Sequence, residues 1–223
     1  MPAMNSICMS VGMPITWTVC EAGRFGRMPL VDRTDSVLIV VDAQRRFVRG
    51  ARHTREESAA ASAVFERLVW LAGIATLLEI PAVITEEGPD RNGSTESRLL
   101  ECVAPATPIL ARATFGVAAC PGIVDAIRVT QRNTTVLIGF DTDVCIAQSA
   151  IGLRELGFRA IVVEDATYSS HELQHQRGLA RMSDAGVERN YCKGLALEWL
   201  RTVDQAREVL DAAAEFGTPA VGL

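Results

Sequence analysis

The strongest constraint on the fold of this chain is a repeated beat: a short run of β-branched and aliphatic residues, then a longer amphipathic stretch. Residues 36–42, SVLIVVD, make a continuous apolar run that ends on an acid, the pattern of a strand buried on both faces of a parallel sheet. The spacing then predicts a helix over 57–78, stopped by Pro81, and a second strand over 82–85. The beat continues with a short strand at 108–110, a helix over 121–131 opened by Pro121, and a strand over 134–140. A helix over 143–156, a strand over 160–165, a helix over 170–185 closed by Gly186 and a last strand at 187–190 complete the series. Strands alternating with helices require right-handed crossovers, which lay helices on both faces of the sheet. The expected fold is α/β: a three-layer, doubly wound sandwich around a mainly parallel sheet of about six strands.

The chain has 223 residues, 48% of them hydrophobic, enough for one substantial core. One domain over 34–223 is expected, with residues 1–33 as an N-terminal tail or arm. That opening stretch has no positively charged side chain before Arg24 and is interrupted by Pro14, so it does not read as a secretory signal. A net charge of −5, with no basic run, excludes the electrostatic footprint of nucleic-acid binding. Apolar runs such as 59–63 and 136–138 fall short of the roughly 20 residues that cross a bilayer, so no membrane association is expected. The six cysteines, Cys8, Cys20, Cys102, Cys120, Cys145 and Cys192, show no CxxC spacing. Reduced thiols and a cytoplasmic location are the expectation.

Ligands of such sheets bind beyond the carboxyl ends of the strands, where strand order reverses. Three residues fall at such ends: Asp42 after the first run, Arg112 after the third, and Cys145 in GFDTDVCIA (139–147) after the fourth. Cys145 is expected in the first turn of a helix, where unpaired N–H groups and the helix dipole favour a thiolate. A thiolate, a carboxylate to move protons and backbone N–H groups aimed at an oxyanion are the parts of an acyl-transfer centre. The plainer alternatives are that Cys145 is a small buried helix residue and that Asp42 caps a helix, although the AQRRF that follows shows no helix start. HELQH at 171–175 matches the zinc-binding H-E-x-x-H pattern, with both imidazoles expected on one helical face. Arg181 stands where a metzincin has its third His, which leaves Glu188 or Glu198 as the third ligand. The plainer reading of HELQH is a polar first helical turn capped by Ser169 or Ser170. Redox sensing by Cys145, with Cys120 as another reactive thiol, is a further alternative. No G-x-G-x-x-G or Walker pattern follows a strand, so no nucleotide cofactor is expected.

The segments VLIVVDAQRRF, RATFG and GFDTDVCIAQSAIGLRELGFRAIVVEDA resemble the isochorismatase-like cysteine hydrolases over residues 35–200, with the YcaC-like branch nearest in layout. The resemblance implies a triad: Asp42 as general base, Cys145 as nucleophile, and Arg112 where the family usually has Lys. It also implies a non-proline cis peptide between Phe140 and Asp141, an oxyanion hole from the backbone N–H groups of Asp141 and Cys145, and Gln44, Phe47 and Phe115 near the substrate. For assembly it implies homo-oligomers, dimers or larger. Nicotinamidase-like members hold a metal through an Asp and several His after the second strand. TEEGPDRNGS stands here without His, so neither a catalytic metal nor a nicotinamidase is expected. The implied activity is hydrolysis of a small amide, ureide or related carbonyl substrate through an acyl-enzyme, with no cofactor. Isochorismatase-type vinyl ether hydrolysis and a catalytically silent, small-molecule-binding member are the alternatives. Lys193 is the one lysine in the chain, so no neighbour supplies the ammonium that Arg112 replaces.

Overall fold

A computed structural model describes residues 29–49 and 55–217; residues 1–28, most of the expected tail, lie outside the described residues. Six strands alternate with helices in chain order. They run β1 (Ser36–Val41), α1 (Arg45–Arg49), α2 (Arg55–Leu77), β2 (Ala82–Glu87), α3 (Pro89–Asn92), α4 (Ser97–Leu100), β3 (Ile109–Arg112) and α5 (Pro121–Val129). There follow β4 (Thr134–Phe140), a π-helical turn (Thr142–Ile146), α6 (Ala147–Glu155), β5 (Arg159–Tyr168), α7 (Glu172–Asp184), β6 (Glu188–Asn190), α8 (Cys192–Leu200) and α9 (Val203–Ala213). The strands pair in parallel in the order β3-β2-β1-β4-β5-β6. This is the doubly wound sandwich expected from the sequence.

Every residue of β1 and β4 is buried, which is why these strands read as unbroken apolar runs instead of alternating ones. Alternation still sorts their side chains into two cores. Val37, Ile39 and Val41 pack with Ile123, Ile127, Leu153, Leu179 and Met182 from α5, α6 and α7. Leu38 and Val40 pack with Leu68, Leu71 and Ile74 of α2 and with Leu195 and Trp199 of α8. Each such side chain removed from water contributes about 1.5–3 kcal/mol. Val31 joins the α2 core, and Pro29 and Val31 are tied to Arg159, Glu198 and Arg201, so contacts with the domain begin ahead of residue 34.

Several expectations change. Ala59–Leu77 of α2 has a mean hydropathy of 1.4 over 19 residues, long and apolar enough to span a bilayer, contrary to the reading of its shorter runs. It is 61% buried inside the domain and is the central helix of one core. A short helix, α1, does follow Asp42: the Gln44 carbonyl accepts the N–H groups of Phe47 and Val48, and no capping side chain marks its start in the sequence. Arg112 ends β3 instead of following it. The helices α8 and α9 lie beyond the pattern read from the sequence.

Candidate active site

Strand order reverses between β1 and β4, so the carboxyl ends of those strands border a crevice. Asp42 directly follows β1, and Cys145 follows β4 by five residues of chain. A regular strand would send Asp42 toward α2 with Leu38 and Val40. Its backbone instead adopts φ 53°, a left-handed conformation that costs a non-glycine residue about 1–2 kcal/mol. The turn delivers the carboxylate to Arg112, which alternates with Leu110 on the α5–α6 side of β3. Arg112 Nη2 lies 2.5 Å from Asp42 Oδ2, and both side chains are fully buried. Arg112 Nη1 donates to the Thr114 carbonyl, which folds the next loop back over the guanidinium. Asp42 Oδ1 and Arg112 Nε have no hydrogen-bond partner among the described residues.

The Cys145 thiol interacts with both members of this ion pair. Burial pushes Asp42 up to about 6, against the pull of Arg112 and of the thiol. Burial, reinforced by the Asp42 charge, pushes Cys145 up to about 12, with Arg112 acting in the opposite direction. The expected preformed thiolate is therefore corrected: the resting pair is a thiol beside a carboxylate. Cys145 also lies in a π-helical turn and not in the first turn of an α-helix. Ile146 N–H bonds to the Asp141 carbonyl at 3.1 Å, and Ala147 N–H to the Thr142 carbonyl, five residues back in each case.

The nucleophile turn is held from three sides. Gly139 has φ 128°, and a Cβ there would lie 1.9 Å from the Val41 carbonyl oxygen, so only glycine lets β1 and β4 run this close. The Phe140–Asp141 peptide is cis, as the resemblance implies. On the far side α7 meets the turn: Thr142 Oγ1 and His175 Nδ1 are 2.8 Å apart, and Ser169 Oγ donates to Asp143 Oδ1 at 2.6 Å. The Asp141 carboxyl is raised to about 7 by burial, then by the nearby Asp143 and Asp42. The sequence does not mark Thr142, Ser169, His175 and Gly178 as supports of this turn: Thr142 lies within the GFDTDVCIA segment, His175 and Ser169 read as a metal pattern and a helix cap, and only Gly178 carries no signal.

Other candidates fall in different places. Gln44 spends its amide on the backbone of Glu87 and Gly93, stitching the end of β2 to the loop beyond it. Phe47 is half-buried against the α2 core. Phe115 is exposed and lines a cavity of about 340 Å³ with Thr114, Gly116 and Gln148. The H-E-x-x-H reading is corrected: His171 sits ahead of α7 in extended backbone (φ −124°, ψ 132°), so the imidazoles do not occupy successive turns of one helix. Glu188 is paired with Arg159 at 2.6 Å, and Glu198 accepts from Val31 and Asn190. Among the described residues no three His, Cys, Asp or Glu side chains are grouped to hold a metal.

Comparison with known proteins agrees with this fold. The chain is 26% identical to the probable hydrolase YcaC of Escherichia coli over 180 residues, 75% of this chain and 79% of that protein. The crystal structure of E. coli YcaC, an octameric hydrolase of unknown specificity, superposes with a TM-score of 0.76 at 24% identity, covering 85% of this chain and 91% of that one. YcaC from Pseudomonas aeruginosa, determined with hexane-2,5-diol and covalent acrylamide, gives 0.77 at 25% identity over 87% of this chain and 94% of its own. The MAR1 ribonuclease of Caenorhabditis elegans gives 0.74 at 25% identity over 87% and 97%. The family model of the isochorismatase domain matches residues 36–189, from the start of β1 into β6, and the chain accordingly belongs to the isochorismatase family.

Proposed function

We propose that this isochorismatase-family hydrolase is a cysteine amidohydrolase acting on small, uncharged amides or ureides. The observation that carries the reading is the buried meeting of the Asp42 carboxylate, the Arg112 guanidinium and the Cys145 thiol beside the strand-order reversal. Asp42 Oδ1, which no hydrogen bond occupies among the described residues, accepts the thiol proton as Sγ attacks the substrate carbonyl carbon. The carbonyl electron pair moves to oxygen, where the backbone N–H groups of Asp141 and Cys145 receive it in this reading. Collapse breaks the C–N bond, and the leaving nitrogen takes the proton from Asp42. Water then gives a proton to Asp42 and its oxygen to the thioester carbon; collapse breaks the C–S bond, releases the acid, and the departing sulfur takes the proton back from Asp42. Arg112 keeps Asp42 ionisable in spite of its burial.

Charge favours an uncharged substrate. Glu87 raises the Asp42 carboxyl, and Asp143 and Asp42 raise that of Asp141, so a substrate carboxylate would meet like charge. The covalent acrylamide of P. aeruginosa YcaC supports the reading, since acrylamide is a small primary amide and an alkylator of thiols. We assign the chain to a homo-oligomer on the precedent of octameric YcaC, a mass that light scattering reads directly. The test is a panel of small amides and ureides with Cys145→Ala as control and mass spectrometry for an acyl adduct on Cys145. Turnover with the adduct supports the proposal. Vinyl ether cleavage that persists in Cys145→Ala, or saturable binding with no turnover, sinks it.

A further inference from the structure

The HELQH motif finds no use in the chemistry above, yet its second histidine is committed. Thr142 opens the π-helical turn that carries Cys145, is completely buried, and offers its carbonyl to Ala147 N–H in the five-residue ladder of that turn. The turn has no side-chain cap of its own at Asp141. Its polar support comes from outside: His175 Nδ1 at 2.8 Å from Thr142 Oγ1, and Ser169 on Asp143. Three residues after His175, and so on the same face of α7, Gly178 brings the helix against the turn. A Cβ there would stand 2.7 Å from Asp143 Cα and 2.9 Å from Asp143 N, so helix and turn touch backbone to backbone with no side chain between them.

We propose that His175 is a positioning residue for the nucleophile: by holding Thr142 it fixes the turn that presents Cys145 to Asp42. The proposal rests on the cysteine-hydrolase reading and adds the element that keeps its nucleophile in place. Groups facing the imidazole are Glu172 on α7, Glu164 on β5, Asp143 on the turn and Arg189 on β6. Burial dominates over them and disfavours the imidazolium, so the neutral imidazole is favoured as the partner that Thr142 Oγ1 meets at Nδ1. The chain thus uses half of a metal-binding pattern to hold the nucleophile turn.

The test follows Cys145 by peptide mapping after brief iodoacetamide treatment at neutral pH. Partly exposed Cys120 is the internal reference, and fully buried Cys192 reports unfolding. His175→Ala is expected to slow Cys145 labelling relative to Cys120, and to lower kcat, by about tenfold or more, with KM little changed. His175→Asn, whose amide keeps a hydrogen-bonding atom near the position of Nδ1, restores both to within about threefold of the parent. Cys145 labelling at the parent rate in His175→Ala, or a His175→Asn variant no better than the alanine while Cys192 stays protected, overturns the proposal. Should His175→Ala expose Cys192, Thr142→Val, which removes the hydroxyl and keeps the shape, carries the same expectation and the same reversal. Hydrolysis that survives Cys145→Ala would sink the catalytic reading alone, because the labelling comparison stands without it.

Discussion

At the scale of single residues, burial decides the chemistry of Cys145 and Asp42. A helix-terminus argument favours a thiolate, but a thiol that is 5% exposed and faces a carboxylate loses more by desolvation than the turn and Arg112 return. Catalysis then depends on an ionised Asp42, so kcat/KM should fall about tenfold per unit below a pH of about 6, measured across pH 4.5–8. The stability linkage has the opposite sign. The folded state holds the Asp42 proton more tightly than the unfolded chain, so this group favours folding below pH 3.8 and loses that contribution as pH rises through about 6. Arg112 supplies the counter-charge. Arg112→Lys should retain much of the activity, whereas Arg112→Ala should lose most of it and about 3–5 kcal/mol of stability in urea unfolding, because it strands a buried charge. Full activity in the alanine variant would remove Arg112 from the site. The positions of Asp42, Arg112 and Cys145 at strand ends were legible in sequence. The left-handed turn at Asp42 was not, since nothing in VVDAQ requires it and only Arg112, 70 residues on, explains it.

At the scale of elements, the legible parts are those with a local period. Strands buried on both faces and helices opened by Pro121 or closed by Gly186 are written in a few adjacent residues. The helix α1 escaped because its first carbonyl is anchored by Gln44, whose side chain is engaged with a loop more than forty residues away. The helix α8 escaped because Gly194 weakens its local pattern while Leu195, Ala196 and Trp199 bury it against α2. Contact between elements also explains Gly139. Gly139→Ala places a methyl group inside van der Waals contact of Val41 and demands a φ that alanine avoids. It should cost on the order of 3 kcal/mol or more, read as a large fall in Tm or as failure to fold, and a variant that melts like the parent would refute the close approach of β1 and β4.

At the scale of the whole molecule, the core around α2 closes only late in the chain. The helix α2 packs on β1, which precedes it, but also on β4, β5 and α8, which lie far downstream in the chain. A chain ending at Asn133 should therefore bind a hydrophobic dye strongly and sediment as aggregate, while the full chain does neither; a soluble, dye-negative fragment would show that α2 is satisfied locally. The same arrangement bears on biosynthesis. At roughly 5–20 residues per second, a ribosome needs on the order of 5–20 s to pass from the end of α2 to the end of β5. Throughout that interval the nascent chain displays a 19-residue apolar segment with the hydropathy of a membrane anchor. Among the described residues, the helix that later fills the core is thus, for its first seconds, the longest apolar segment open to a chaperone or to membrane-targeting machinery.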